Sequence, residues 1–415
     1  MSMRSLDLYA AESQVGTLFD EQPLRFCYAQ SWIDDGGLSL APGLPAEVPM
    51  HAGTAVESFF ENLLPEGRLR EFLEQQRHAT TLFGLLDAVG GDTASGFSLQ
   101  PSGVRPEAAR YRQITWDELA RSLADGEPTL SSFEGTDARL SLAGAQNKRL
   151  LMVKEGIPYL PEGSSPSSHI LKPDIRTFDS VWASALNETF CQLLAKELGL
   201  GAAEAAYQPE TQACLVTRYD RVWDGSRDEL RRLHQLDFCQ LAGVRSTVKY
   251  ESDGGPGLAG CRELLKRADA PLADHQRFIR WIFFNLLIGN HDSHAKNLSV
   301  LFTAEGPRLA PFYDLMSTNL YSGLARRFAF SLGGENRPGQ IGRQQLDACA
   351  GELQLQPRYF RQQGLTLADA MPDAVERVSN RLALIARQGT EQTLIERLGR
   401  HITSQARRSK TRWAS

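Results

Sequence analysis

Residues 290–297 (NHDSHAKN) constrain this chain more than any other stretch. They follow an apolar helical pattern over 274–288, whose stripe of Phe278, Trp281, Ile282 and Leu286 ends at Gly289. They precede a strand-like run, 298–302. Polar residues set between a buried helix and a buried strand make a rigid loop, good ground for placing reactive groups. Within the loop, Asp292 and Asn297 have D-x4-N spacing. In phosphoryl transfer that spacing serves two jobs: the Asp accepts the proton of an attacking hydroxyl, and the Asn ligates a magnesium ion bridging nucleotide phosphates. About one such match is expected by chance in a chain this long, so the spacing needs support from elsewhere.

Support comes in order along the chain. Asp314 ends a second apolar, strand-like segment, 309–313, and lies where such chemistry places its main magnesium ligand. Lys172 sits on a short apolar strand, HILK, suited to meet nucleotide phosphates. Glu188, on a helical pattern downstream, has the charge to pair with it. Further upstream, SLAGAQNK (141–148) is a small-residue loop leading into a strand. Ala143, Gly144 and Ala145 let backbone N–H groups approach phosphate oxygens closely, ahead of Gln146, Asn147 and Lys148. The loop is no Walker A motif, because GK[ST] and a following helix are missing. Taken singly, Asp314 reads equally as a turn or cap residue, Glu188 as a solvated helical residue and the loop as a surface hairpin. The ordered set argues for shared chemistry.

The rest of the chain reads as mixed α/β first and mostly α later, an α/β plus all-α class with two lobes and a cleft between them. Residues 15–19 and 24–28 are strand-like. Residues 54–75 are helical apart from a break at Pro65-Glu66-Gly67, and 80–89 form another helix closed by Gly90-Gly91. The polar stretch 100–112 is a plausible boundary. Strands at 148–153 and 169–172 flank a Gly/Pro/Ser loop, 156–168. A helix over 181–198 starts at an Asp179 or Ser180 cap and stops at Gly199. Residues 214–219 read as a strand and 234–242 as a helix, and helices dominate from 258.

Composition excludes other classes. At 42% hydrophobic and 23% charged the chain is not disordered throughout, and a net charge of −5 rules out a wholly basic nucleic-acid coat. The six cysteines lie far apart without C-x-x-C, which points to reduced, buried thiols. The first residues lack an apolar signal core, and the densest apolar run, 281–289, is interrupted by Asn285 and too short to span a bilayer. The expected location is cytoplasmic, with no membrane partner. The tail 397–415 carries Arg397, Arg400, Arg407, Arg408, Lys410 and Arg412, and reads as a solvated, frayed terminus, with contact to DNA phosphates as the alternative.

The ordered set SLAGAQNK, HILKP, HQLDFCQLAG, KYESDGGPG, NHDSHAKN, FYDLMS and GGEN, with FFENLLPEG near the N-terminus, resembles the HipA family of bacterial toxin kinases from type II toxin–antitoxin systems, over roughly residues 10–385. The resemblance implies a bilobal protein-kinase-like fold with an extra N-terminal subdomain and a helical C-terminal lobe. The corresponding domains are 1–108, 109–245 with the ATP loop and ATP lysine, and 246–415 with the catalytic loop. By the same resemblance Asp292 is the catalytic base, Asn297 and Asp314 are the magnesium ligands and Lys172 is the ATP lysine. Residues 143–148 cradle phosphate; Leu236, Asp237 and Phe238 form the hinge that meets adenine; and His294, Lys296, Asn297, Tyr313 and Asp314 line the nucleotide. Ser141 matches a loop serine that such kinases autophosphorylate; a phosphate there would eject the loop and silence the enzyme. Leu236 stands where the family is often acidic, and Asn147 where Glu is common. The implied cofactors are ATP and Mg2+. The implied partners are a HipB-like helix-turn-helix antitoxin, operator DNA through that complex, and an aminoacyl-tRNA synthetase, above all glutamyl-tRNA synthetase, as substrate. The competing expectations are a catalytically weak ATP-binding co-repressor acting with an antitoxin on operator DNA, and a small-molecule phosphotransferase.

Overall fold

The computed structural model describes residues 4–124, 146–387 and 389–414. It divides into two compact units: residues up to 171 with 218–248 and 301–304, and residues 172–217, 249–300 and 305 onward.

The first unit opens with strands β1 (Ser5–Ala10), β2 (Ser13–Phe19) and β3 (Arg25–Tyr28), the short helix α1 (Gln30–Asp34) and strand β4 (Met50–Ala52). With β5 (Ser98–Pro101) they form an antiparallel sheet in the order β4-β3-β2-β1-β5. β1 is buried on both faces from Leu6 to Tyr9, whereas alternation along β3 buries Phe26 and Tyr28. A Cβ at Gly16 would lie 2.3 Å from the Cys27 carbonyl oxygen, so the β2–β3 pairing requires glycine there. Between β4 and β5 run α2 (Thr54–Glu61), α3 (Gly67–Gln76) and α4 (Leu82–Val89), with the expected break falling over 62–66, just before Gly67. Thr81 starts α4 by accepting the Gly84 N–H at 3.0 Å.

Next come β6 (Arg110–Gln113), α5 (Trp116–Ala124), β7 (Arg149–Lys154), β8 (Ile157–Glu162) and β9 (His169–Lys172), whose strands pair antiparallel in the order β9-β7-β8-β6. Here the structure corrects one expectation: β8 takes residues 157–162 out of the loop read over 156–168. Glu155 and Gly156 both have positive φ and make the tight hairpin turn that joins β7 to β8. Pro158 and Pro161 had disguised a strand whose Pro158 and Leu160 point inward.

Residues 172–217 open the second unit. Helix α6 (Ser184–Glu197) begins later than its apolar pattern suggested, and neither Asp179 nor Ser180 caps it. Ala183 takes a left-handed φ of 47°, and the Asp174 carboxylate accepts the Ala185 N–H at 2.8 Å instead. Every residue from Ser184 to Ala195 is buried, so the polar side chains of α6 must find partners within the fold. Strands β10 (Ala205–Gln208) and β11 (Ala213–Thr217) form a hairpin.

Residues 218–248 return to the first unit as the hairpin β12 (Arg221–Asp224) and β13 (Glu229–Arg232), then β14 (Gln235–Asp237) and α7 (Phe238–Ala242). The helix expected over 234–242 therefore starts at Phe238. Asp237 accepts the Gln240 N–H at 2.8 Å and Gln240 Oε1 accepts the Asp237 N–H at 3.0 Å, a reciprocal cap that marks the true start.

The second unit continues with α8 (Leu258–Arg267), α9 (Leu272–Ile288), the first two residues of β15 (Ser299–Thr303), whose remainder belongs to the first unit, then β16 (Gly306–Leu309), α10 (Arg343–Glu352), α11 (Pro357–Ala383) and α12 (Gly389–Ala414). Trp281, Phe283 and Phe284 of α9 are fully buried. The strand expected over 309–313 stops at Leu309; Phe312 is instead fixed by a bridge to Ala202, with its carbonyl accepting the Ala203 N–H at 2.8 Å. The tail is no frayed terminus. Leu394, Leu398, Ile402, Ala406 and Trp413 form a buried stripe along α12, and Trp413 Nε1 donates to the Ile341 carbonyl. Its basic residues had masked that stripe; Arg397, Arg400, Arg407 and Arg408 lie on the exposed face. All six cysteines are free thiols, five of them buried. Among the described residues no helix is long and apolar enough to cross a membrane.

Candidate active site

The polar loop 290–297 starts where Gly289 ends α9 with a left-handed φ of 70°. A Cβ on Gly289 would lie 2.9 Å from the Asn319 side chain, so both conformation and space demand glycine. Most of the loop's polarity builds the loop itself. Asn290 Nδ2 donates to Asn285 Oδ1 at 2.8 Å, while its Oδ1 accepts the Asp292 N–H at 3.2 Å. The His291 N–H donates to Thr318 Oγ1 at 2.8 Å, and its Nδ1 meets the Ala325 carbonyl at 2.9 Å. Asn297 Oδ1 accepts the His294 N–H at 2.9 Å, closing a one-turn 3₁₀ helix. Asp292 is the one exposed residue of the eight. Tyr250 Oη donates to its Oδ1 at 2.5 Å.

Lys172, the last residue of β9, is buried and bonded to two carboxylates. Its ammonium donates to Glu188 Oε1 at 2.6 Å and to Asp314 Oδ1. Burial alone would push the Lys172 ammonium down; Asp314 and Glu188 override it and hold the group well above the usual lysine range, fully charged. The two carboxylates differ: the Glu188 side chain is 4% exposed and that of Asp314 44%. Glu188 is therefore a fixed internal partner, whereas Asp314 is open to a ligand. Asp314 has a left-handed φ of 54°, which Asp tolerates better than most residues. Asn297 Nδ2 lies 3.5 Å from Asp314 Oδ2.

The segment after Asp314 is held to α6 beside Glu188. Asn187 Nδ2 donates to the Ser317 carbonyl and to Tyr321 Oη, each at 3.1 Å, and Asn187 Oδ1 accepts the Ser317 N–H at 2.9 Å. Tyr313 Oη donates to the Lys296 carbonyl at 2.7 Å and lies 2.7 Å from Ser299 Oγ, tying the two polar segments together. His294 is buried, and burial, with Lys249 and Lys296 nearby, pushes its imidazole well below the usual histidine range, so it is neutral near pH 7. Its Nδ1 is a buried polar atom with no hydrogen-bond partner among the described residues.

The structure thus brings Lys172, Glu188, Asn297 and Asp314 into one contiguous set, with Tyr313, His294, Lys296 and Asp292 on the same connected loops. Leu236, Asp237 and Phe238 belong to the first unit and are buried there, with the Asp237 carboxylate spent on capping α7. Gln146, Asn147 and Lys148 immediately precede β7 in the first unit; Asn147 is exposed and Lys148 buried. Ser141, Ala143, Gly144 and Ala145 lie outside the described residues. The sequence reading missed Asn187, Thr318 and Tyr250. Only Tyr250 had a signal, its place in KYESDGGPG.

Among the described residues no three His, Cys, Asp or Glu side chains cluster as a self-sufficient metal cage. One carboxylate beside one amide is a different donor set. It suits magnesium, which takes few protein oxygens and completes its shell with phosphate and water.

Two family models match: the HipA-like C-terminal domain over residues 140–380 and the HipA N-terminal domain over residues 6–99. A putative kinase of Sinorhizobium fredii, Y4mE, is 34% identical over 91% of this chain and 92% of its own. The serine/threonine-protein kinase toxin HipA of Shewanella oneidensis is 30% identical over 90% of this chain and 89% of its own. The solved structure of the Shewanella oneidensis HipA and HipB complex with operator DNA matches with a TM-score of 0.84, at 26% identity, covering 97% of each chain.

Proposed function

This chain belongs to the HipA family of serine/threonine-protein kinase toxins, and from that premise we propose how its residues carry the phosphoryl transfer and which proteins it meets. Membership carries the kinase-like fold and the use of ATP. The contact of Lys172 with both Glu188 and Asp314, and the nearness of Asp314 to Asn297, is the observation that supports the assignment of roles.

Asp292 takes the proton of the acceptor serine or threonine hydroxyl as its oxygen attacks the γ-phosphorus and ADP leaves. Lys172, held by Glu188, gives its positive charge to the nucleotide phosphates. Asp314 and Asn297 would hold magnesium, which would supply charge neutralisation at the phosphate oxygens. His294, neutral and buried, presents a donor or acceptor to the nucleotide without adding charge. Residues 143–148 approach the phosphates through the backbone, and 236–238 form the adenine hinge.

The substrate class we propose is an aminoacyl-tRNA synthetase, with glutamyl-tRNA synthetase first among them, and Ser141 as the site of silencing autophosphorylation. The partner is a HipB-like antitoxin on operator DNA; the Shewanella oneidensis relative was solved in a complex with both. The exposed arginines of α12 support contact with phosphates in such a complex.

The test is transfer from γ-labelled ATP with magnesium to proteins of a bacterial lysate, read by mass spectrometry. Wild type should label a synthetase and Ser141. Asp292→Ala should lower the rate by roughly 10²–10⁴ with the fold intact. Wild-type transfer by Asp292→Ala would remove Asp292 from the mechanism. Growth arrest that survives Asp314→Ala would move the function to the co-repressor role.

A further inference from the structure

The stretch 249–257, KYESDGGPG, takes no part in the chemistry above, yet its residues are spent on fixing one side chain. The Lys249 carbonyl accepts the Ala295 N–H at 3.3 Å, anchoring the stretch to the catalytic loop. The Tyr250 carbonyl accepts N–H groups from Asp253 at 3.1 Å and Gly255 at 2.9 Å, a turn that Gly254 permits with a φ of 91°. Glu251 Oε2 accepts the Ser331 N–H at 2.5 Å. A Cβ on Gly257 would lie 2.6 Å from Glu251 Oε1, so glycine is needed there for the glutamate to sit where it does. The backbone on both sides of Tyr250 is therefore pinned.

The side chain is pinned as well. The Tyr250 ring meets the His294 ring edge-on, with centroids 4.9 Å apart, and the Lys249 ammonium lies 5.5 Å from the Tyr250 ring centroid. Its hydroxyl points at the one exposed residue of the catalytic loop and donates to Asp292 Oδ1. A short exposed carboxylate rotates readily about its last bond, whereas a hydrogen bond from a rigid phenol holds one oxygen in place. A proton-transfer group works only within hydrogen-bond reach and in the correct orientation.

We propose that Tyr250 is a positioning residue for Asp292, fixing the orientation in which the carboxylate meets the acceptor hydroxyl. This rests on the reading of Asp292 as the base. Tyr250 acts through Asp292, and KYESDGGPG is its mount.

The test compares wild type, Tyr250→Phe, Asp292→Ala and the double variant in label transfer from γ-labelled ATP to lysate protein. ATP affinity is measured separately with a fluorescent ATP analogue. Phenylalanine keeps the ring contacts and removes only the hydroxyl. Tyr250→Phe should lower the apparent kcat roughly ten- to hundredfold, the worth of one hydrogen bond to a charged group. KM for ATP and analogue affinity should stay within twofold. In the Asp292→Ala background, adding Tyr250→Phe should change the residual rate less than twofold, because its target is gone. Wild-type kcat in Tyr250→Phe beside a disabled Asp292→Ala would overturn the inference and leave the base in place. A raised KM for ATP, or a full further loss in the double variant, would overturn it by giving Tyr250 a role independent of Asp292. A fully active Asp292→Ala would overturn the base assignment, and the inference with it.

Discussion

Asp92 is the place to test what holds the first unit together. Its carboxylate is fully buried and accepts five hydrogen bonds: from the Ser167 N–H at 2.9 Å, Ser167 Oγ at 2.7 Å, Arg218 Nη1 at 3.3 Å, Arg221 Nη2 at 2.7 Å and Arg232 Nε at 3.1 Å. Burial would raise its pKa, but Arg221, Arg218 and Arg232 override that and hold it well below the usual carboxylate range. In Asp92→Ala, Arg218 and Arg221 keep Asp220, at 2.7 and 2.6 Å, and Arg232 keeps the Ser164 carbonyl at 2.5 Å. Two buried guanidiniums would then share one carboxylate, and Arg232 would have only backbone carbonyls to neutralise it. Breaking a buried pair by removing one partner costs about 3–5 kcal/mol, a large part of the roughly 5–15 kcal/mol that holds a domain. Asp92→Asn, equal in size but uncharged, should lose nearly as much. The assay is urea denaturation with hydrogen exchange read in β7 and β9, because a two-unit chain need not unfold in one step. Loss of protection should begin there, two residues after Ser167, in the strand that ends at Lys172. The sign of the pH effect also follows. A depressed carboxylate contributes stability above its unfolded value of 3.8 and loses it as pH falls through the folded value. The wild type should therefore shed this contribution only in strong acid, and Asp92→Asn should lack that acid transition. An Asp92→Ala protein within about 1 kcal/mol of wild type would refute the argument that charge pairing, rather than packing, joins these segments.

Other outcomes can be checked in the same way. Glu188→Ala leaves Lys172 held by Asp314 alone, so kcat/KM for ATP should fall roughly ten- to hundredfold; unchanged steady-state kinetics would deny Glu188 its orienting role. Burial pushes His169 and His234 down to about 4, so the unfolded chain takes up protons below pH 6.5 while the native chain does not. Stability should drop as pH falls from 6.5 to 4, by up to roughly 1.4 kcal/mol per pH unit for each, and a flat denaturation midpoint over that window would contradict it. A Cβ on Gly364 would lie 2.5 Å from the Phe283 ring, so Gly364→Ala should destabilise the α9–α11 contact by about 1–3 kcal/mol, seen as a lower Tm. Trp413→Ala should cost about 3–5 kcal/mol by calorimetry, whereas a frayed tail would cost nothing.

Short-range pattern carried much of this protein. Apolar spacing located α9, Gly289 located its end, and β9 fell over HILK as its composition suggested. The sequence singled out Lys172, Glu188, Asn297 and Asp314, which the structure brings together, because local pattern reveals the strand end and the loops that carry three of them. Where local signals were equivocal the reading slipped: the prolines of β8 resembled a loop, and the arginines of α12 hid its buried stripe.

Tertiary structure decided which partner each charge takes. Lys172 and Asp314 are 142 positions apart, and Asp92 meets arginines 126 to 140 positions away. No spacing rule reaches so far, because such pairs form only when folding excludes water from both partners and makes an unpaired charge costly. The same selection sorted the loop 290–297. Asn290, His291 and Ser293 are polar because buried backbone groups in and around the loop must be satisfied, and Asp292 is polar because it faces solvent under the grip of Tyr250. Composition cannot separate those two reasons, since both place the same kinds of atoms in the chain; only burial and direction tell them apart.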